Sequence, residues 1–166
     1  MSVSSAYGSY FDLVKSRLES SGFKTEAKAN FGDMVVDLIG HKESTFPSSR
    51  AWFVSLNYLD KVDTAKLEPY FNAVRHKADE LSARYRLAIS LPVAASSEFD
   101  EALKERVQTT KLYAQPRLVV GISIQAHPVL ADLKTRQIYH YTKMEFVGYA
   151  ELRKARNFAE EHFKFQ

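Results

Sequence analysis

One acidic residue sits inside an apolar run. Asp37 lies between Met34, Val35, Val36 on one side and Leu38, Ile39 on the other. An unpaired carboxylate is costly to bury, so Asp37 must be paired, bound to a cation, or placed at a sheet end that touches water. A second irregularity follows in the stretch Ala51 to Leu59. Strand alternation puts Trp52, Val54, Leu56 and Tyr58 on one face and Phe53, Ser55, Asn57 and Leu59 on the other, so the middle of the second face is polar. The preferred structural reading hydrogen-bonds Asp37 to Ser55 or Asn57. The chemical reading makes the polar pair a former or present site. Asp33 does not complete it: four residues along an extended strand is about 13 Å, too far for one metal to bridge. Asp33 reads instead as a turn residue after Gly32.

Other chemistries find little support. There is no cysteine, which removes disulfides, thiolate metal sites and cysteine nucleophiles. The histidines are His41, His76, His127, His140 and His162, and none pairs with another at metal-ligand spacing. His76 and Glu80 are one helical turn apart and read as a solvated face. His140, between Tyr139 and Tyr141, reads as packing or surface. No Gly-x-Ser-x-Gly elbow and no Gly-rich phosphate loop occurs.

The positioning elements follow from periodicity. Tyr7, Tyr10, Phe11, Val14 and Leu18 line one face of a first helix that Gly22 closes. Phe23 to Lys28, Asp33 to Ile39 and Ala51 to Leu59 read as three strands, with Asn30-Phe31-Gly32 as a turn and His41 to Arg50 as a loop. Leu67, Tyr70, Phe71, Val74, Ala78 and Leu81 mark a long helix. Its regular part is expected from Glu68 to Tyr85, because Pro69 belongs in a first turn. Arg86 to Leu91 reads as a fourth strand ended by Pro92. Beyond it come a helix through Phe99, Ala102, Leu103 and Val107, an alternating strand Arg117 to Gln125 broken at His127-Pro128, a strand Ile138 to Lys143, and a closing helix Tyr149 to Phe163.

This order, helix, three-strand meander, helix, strand, resembles the core of the PD-(D/E)XK nuclease superfamily, the restriction-endonuclease-like fold. The lead-in Gly22-Phe23-Lys24-Thr25-Glu26 and the run Val36-Asp37-Leu38-Ile39 are similar to that family's, and Asp37 falls at its metal-binding Asp. Val54-Ser55-Leu56-Asn57 falls where the family has acid-x-Lys, so Ser55 replaces the acid and Asn57 the lysine. The resemblance implies a site that would bind Mg²⁺ through Asp37 if active. Mg²⁺ seeks oxygen ligands, activates water and stabilises phosphate charge. A neutral Ser55 and a neutral Asn57 argue against that chemistry unless other groups have moved in, with Lys61, Glu68, Lys77 and Glu80 as candidates.

The expectation is one α/β domain over residues 1–166: a restriction-endonuclease-like mixed sheet flanked by helices over about 4–91, with a C-terminal α/β extension over about 92–166. The 21 aromatic residues (11 Phe, 9 Tyr, 1 Trp) supply more buried area than a disordered chain carries. The leading function is binding by a catalytically degenerate nuclease-like domain, without a cofactor, as a subunit or accessory factor with a protein partner. The alternatives are a Mg²⁺-dependent DNA or RNA nuclease with relocated groups and a non-cleaving nucleic-acid-binding accessory. The net charge of +3 permits a polyanionic partner without demanding one. Candidate phosphate contacts are Arg75, Lys77, Arg84 and Arg86 on or just after the long helix, and Arg153, Lys154 and Arg156 on the last. Tyr139, Tyr141 and Tyr149 read as packing within the extension. No stretch is apolar enough to span a membrane and no secretion signal is recognised, so a cytoplasmic location is expected.

Overall fold

The structure is a computed structural model, and it describes residues 3–31, 33–44, 50–82, 87–109, 123–143 and 149–165. Helix α1 (Val3–Ser20) buries Tyr10, Val14 and Leu18, one residue per turn along a single stripe. It ends at Gly22, whose φ of 80° lets the Phe23 N–H reach back to the Leu18 carbonyl at 3.0 Å. Strands β1 (Lys24–Phe31), β2 (Met34–Ser44) and β3 (Arg50–Tyr58) form an antiparallel meander. Helix α2 (Thr64–Ser82) then crosses to β4 (Leu87–Ser96), which pairs with β3 in parallel. After α3 (Glu101–Thr109) come β5 (Ser123–Ala126), β6 (Val129–Asp132) and β7 (Gln137–His140), and α4 (Tyr149–His162) closes the chain.

All seven strands belong to one sheet of order β1-β2-β3-β4-β6-β7, with β5 paired to the first half of β4. Helices α1 and α4 cover one face, where Val14, Leu18, Leu38, Val54, Leu56, Leu91, Ala155 and Phe163 form one core. Helices α2 and α3 cover the other, where Val36, Phe53, Tyr70, Phe71, Leu103, Val107 and Leu130 form a second. A mixed sheet between two helical layers, with a meander followed by a helical crossover into a parallel strand, is consistent with the restriction-endonuclease-like fold. No helix among the described residues is long and apolar enough to cross a membrane.

Several boundaries differ from the sequence reading. His41 to Ser44 are not loop: they pair with Phe53 to Arg50 and lengthen β2, although Lys42, Glu43 and Ser44 are exposed and so carry no apolar signal. Asn30 and Phe31 likewise belong to β1. Helix α2 starts at Thr64, not Glu68, because the Asp63 carboxylate accepts the Lys66 N–H at 2.9 Å and caps it. Pro69 therefore sits inside the helix, and its missing N–H falls on the solvent side, where Ala65 and Pro69 are both exposed.

Pro92 does not end β4. The carbonyls of Ser90 and Ser96 accept the N–H groups of His127 and Leu133, so even-numbered residues of β4 turn their backbone toward β5 and β6. Pro92 shares that orientation and lies between the last β5 pair, Ser90 with Ala126, and the first β6 pair, Val93 with Val129. The break at His127-Pro128 is opposite it, so no donor is needed there. β6 has four residues, too few to show a period. The last strand is Gln137–His140 rather than Ile138 to Lys143. Of the expected strand Arg117 to Gln125, the part 117–122 lies outside the described residues.

Candidate functional site around Asp37

The hairpin β1–β2 keeps one register from Lys24 opposite His41 to Phe31 opposite Met34, and skips one position, Lys28 opposite Asp37. Lys28 has a φ of 59°, the left-handed region that a lysine seldom enters. The two sides of this kink face opposite ways. Leu38 and Gly40 lie against α1, where a Cβ on Gly40 would come within 3.2 Å of Leu18 Cδ1. Phe31, Met34 and Val36 pack instead with the α2 core, and the Phe31 ring meets the Phe53 ring at 5.9 Å. In an unbroken strand Val36 and Leu38 would share a face. Asp37 therefore sits at a switch of faces.

The β2–β3 ladder ends at the same place. The register runs to Leu38 opposite Leu56. Beyond it the Asp37 N–H donates to Asn57 Oδ1 at 3.2 Å, a side chain standing in for the next ladder carbonyl. The Asp37 carboxylate turns back to β3 and α1. Oδ2 accepts the Tyr58 N–H at 3.0 Å and the Tyr7 hydroxyl at 2.8 Å, and Oδ1 accepts Lys28 Nζ at 2.6 Å. The Tyr7 ring lies against the Tyr58 ring, centroids 5.0 Å apart.

Burial by itself pushes the Asp37 carboxyl up, but the Lys28 ammonium, the Tyr58 N–H and the Tyr7 hydroxyl outweigh it and hold the group below the usual carboxylate value. Burial, and then the adjoining Asp37 anion, pushes Tyr7 far above an ordinary tyrosine, so Tyr7 stays protonated and donates.

Ser55 and Asn57 are both buried, and the side-chain oxygen of each is hydrogen-bonded within the protein. Tyr70 on α2 donates its hydroxyl proton to the Val93 carbonyl at 3.0 Å, which leaves its oxygen to accept from Ser55 Oγ at 2.8 Å. Ser55 thus belongs to the α2 face and makes no bond to Asp37. Asn57 does meet Asp37, through the Asp37 backbone rather than its carboxylate.

The proposed replacements are not among the bonded partners of the carboxylate. Lys77 pairs with Glu80 at 2.8 Å on α2, and Lys61 and Glu68 are exposed. Asp33 occupies the turn between β1 and β2. Among the described residues no group of three acidic or histidine side chains is placed to hold a metal ion. The residues that sequence reasoning missed are Tyr7 and Lys28. A signal existed for Lys28: with Phe31 opposite Met34, counting back along both strands sets Lys28 against Asp37.

The basic candidates divide between faces. Lys77 is on α2, which packs on one side of the sheet; Arg153, Lys154 and Arg156 are on α4, which packs on the other. Arg153 and Lys154 are exposed, whereas Arg156 donates to the Thr142 carbonyl at 3.4 Å. The side chain of Arg75, and Arg84 and Arg86 altogether, lie outside the described residues, as does the side chain of Tyr149. His140 is buried and bonded to Glu160 at 2.8 Å. Tyr141 is buried beside it, and Tyr139 lies with the α3 core.

No protein-family model matches this chain, and no curated protein sequence matches it. Among solved structures, the crystal structure of a repair endonuclease from Pyrococcus abyssi is similar at 14% identity and a TM-score of 0.40. The match covers 76% of this chain and 47% of that one, so this chain spans about half the length of the protein it resembles.

Proposed function

We propose that this chain is a catalytically degenerate nuclease-like domain that acts by binding, as a subunit or accessory factor of a larger assembly, with no cofactor of its own. The observation that carries this reading is the occupancy of Asp37. A hard divalent cation needs several oxygen ligands with negative charge among them. Here the Asp37 carboxylate already accepts from an ammonium, a phenol and a peptide N–H. Lys28 stands where a cation would bind, and Ser55 and Asn57 bring no charge. The carboxylate joins α1, β1, β2 and β3, which is the work of a structural latch.

The same ion pair is the one observation favouring the alternative. Lys28 brings to Asp37 the positive charge that Asn57 does not, as relocated groups in a Mg²⁺-dependent nuclease would require. The two readings separate in a cleavage assay on single- and double-stranded DNA and on RNA with Mg²⁺ or Mn²⁺. Degeneracy gives no metal-dependent product. Relocated catalysis gives product that Asp37→Ala abolishes while the fold is retained.

A further inference from the structure

A cleft of about 620 Å³ opens where the carboxyl ends of the parallel strands meet α1. Residues immediately after β4, Ser97 and Glu98, form one wall, and residues immediately after β6, Leu133 and Lys134, form another. The Leu133 N–H donates to the Ser96 carbonyl at 2.8 Å and ties the two walls together. In open sheets with parallel strands, ligands enter at this edge, because the loops there converge. The volume lies within the range of about 300–1,000 Å³ that encloses small organic ligands.

Its chemistry comes in three kinds. Leu13 and Phe165, backed by the buried Tyr10 and Leu133, give an apolar surface. That surface is pre-formed: the Tyr10 hydroxyl donates to the Phe163 carbonyl at 2.8 Å, and its ring stacks on Phe165 at 4.4 Å. Lys134 and Arg136 bring two cations on one turn between β6 and β7. The Asp132 carboxylate shapes that turn by accepting the N–H groups of Lys134 and Thr135 at 2.9 and 3.1 Å, and Arg136 has a φ of 56°. Glu98 and Ser97 bring acceptors from the other loop.

We propose that this cleft binds a free nucleoside monophosphate. A simple hydrophobe would desolvate Lys134 and Glu98 without pairing them. Inorganic phosphate would meet the cations and leave the apolar surface wet. A phosphorylated ligand with a planar body and donor hydroxyl or amino groups uses all three kinds: the anion on the exposed Lys134 ammonium of the β6–β7 turn, the body against Leu13 and Phe165, and the donors toward Glu98 and Ser97. Asp37 takes no part, so this site stands whether or not the nuclease-like site is degenerate.

The test is calorimetric titration of the full chain with AMP, GMP, CMP and UMP, with inorganic phosphate and adenosine as separate arms. Saturable binding of at least one nucleotide is expected, at least tenfold tighter than phosphate or adenosine. Lys134→Glu should weaken it at least tenfold by reversing one cation. Ser9→Trp should do the same by filling the cleft from an exposed position of α1, so the fold is spared. Three results would overturn the proposal: no saturable binding of any nucleotide, phosphate binding as tightly as the nucleotides, or nucleotide binding that both variants leave unchanged.

Discussion

Lys28 and Asp37 oppose each other at the position that the otherwise continuous β1–β2 register skips, with Nζ 2.6 Å from Oδ1. A lysine in a left-handed backbone conformation is what turns the hairpin from the α1 face to the α2 face, and its own side chain closes onto the carboxylate at the turn. Geometry and charge are thus coupled in one residue pair, and the pair is what a divalent cation would have to displace.

The backbone and charge roles of Lys28 are separable. Lys28→Val puts a β-branched residue, which tolerates the left-handed region less well than lysine does, at a φ of 59° and should destabilise the fold. Lys28→Gly also loses the ion pair, but the Lys28 side chain is 73% exposed, so that pair contributes little, and glycine accepts the conformation freely. Urea unfolding should therefore rank glycine above valine. Equal stabilities would mean that the kink does not constrain this position.

Removing the Tyr7 hydroxyl leaves the Asp37 carboxylate short of a charge-assisted hydrogen bond, so Tyr7→Phe should destabilise by about 1.5–3 kcal/mol at neutral pH. The pH dependence has a fixed sign. The folded Asp37 value is depressed, so its stabilisation is present above the unfolded value of about 3.9 and is lost as pH falls through the folded value. The stability gap between wild type and Asp37→Asn should be constant near neutrality and shrink below about pH 4. A gap that widens in acid would contradict the depressed value.

Lys104 on α3 and Asp132 at the end of β6 form a buried pair at 2.8 Å, with side chains 8% and 4% exposed. Burial alone lowers Lys104, but Asp132 and Glu101 overcome it and hold the ammonium charged. Lys104→Met strands the Asp132 charge and should cost about 3–5 kcal/mol. Adding Asp132→Asn should recover much of that, since it removes the charge and keeps an acceptor for the Lys134 and Thr135 N–H groups. Thermal unfolding of the single and double variants reads the difference; a double variant no more stable than Lys104→Met would refute the pairing.

His162 is held neutral. Its Nδ1 faces the Phe158 carbonyl at 3.0 Å, which can only accept, so the proton is on Nδ1, and Nε2 accepts from Ser21 Oγ at 2.8 Å. Burial depresses its protonation below the usual histidine value. Stability linked to His162 is complete above about pH 6.5 and declines as pH falls below it. Between pH 7.5 and 5.5 the melting temperature of the wild type should fall more steeply than that of His162→Gln. Parallel slopes would show that this ring does not titrate with unfolding.

The elements that carry a clear period were legible in the sequence. Tyr10, Val14 and Leu18 gave α1, because one buried face imposes its spacing on the residue types, and the run of aromatic and branched residues from Ala51 to Leu59 gave β3, which is buried on both faces. Where burial did not impose a pattern, reading failed. The end of β2 is exposed, β6 is four residues long, and Pro92 is harmless only because the neighbouring strand breaks beside it. At the candidate site the irregular residues were visible, but their partners were not. Tyr70 reaches Ser55 from a helix 15 residues on, Tyr7 reaches Asp37 from 30 residues before, and a left-handed Lys28 carries no glycine to announce it.

An Asp37 carboxylate occupied as proposed has no room for a catalytic metal. The most direct measurement is a Mn²⁺ titration of the ¹⁵N-labelled chain, following paramagnetic broadening of the Tyr58, Asp37 and Lys28 amides, with a cleavage assay on the same sample. No broadening is expected at these amides beyond that of exposed acidic positions, and no metal-dependent product from DNA or RNA. Selective broadening at Tyr58 and Asp37, together with cleavage that Asp37→Ala abolishes while the fold is retained, would contradict it.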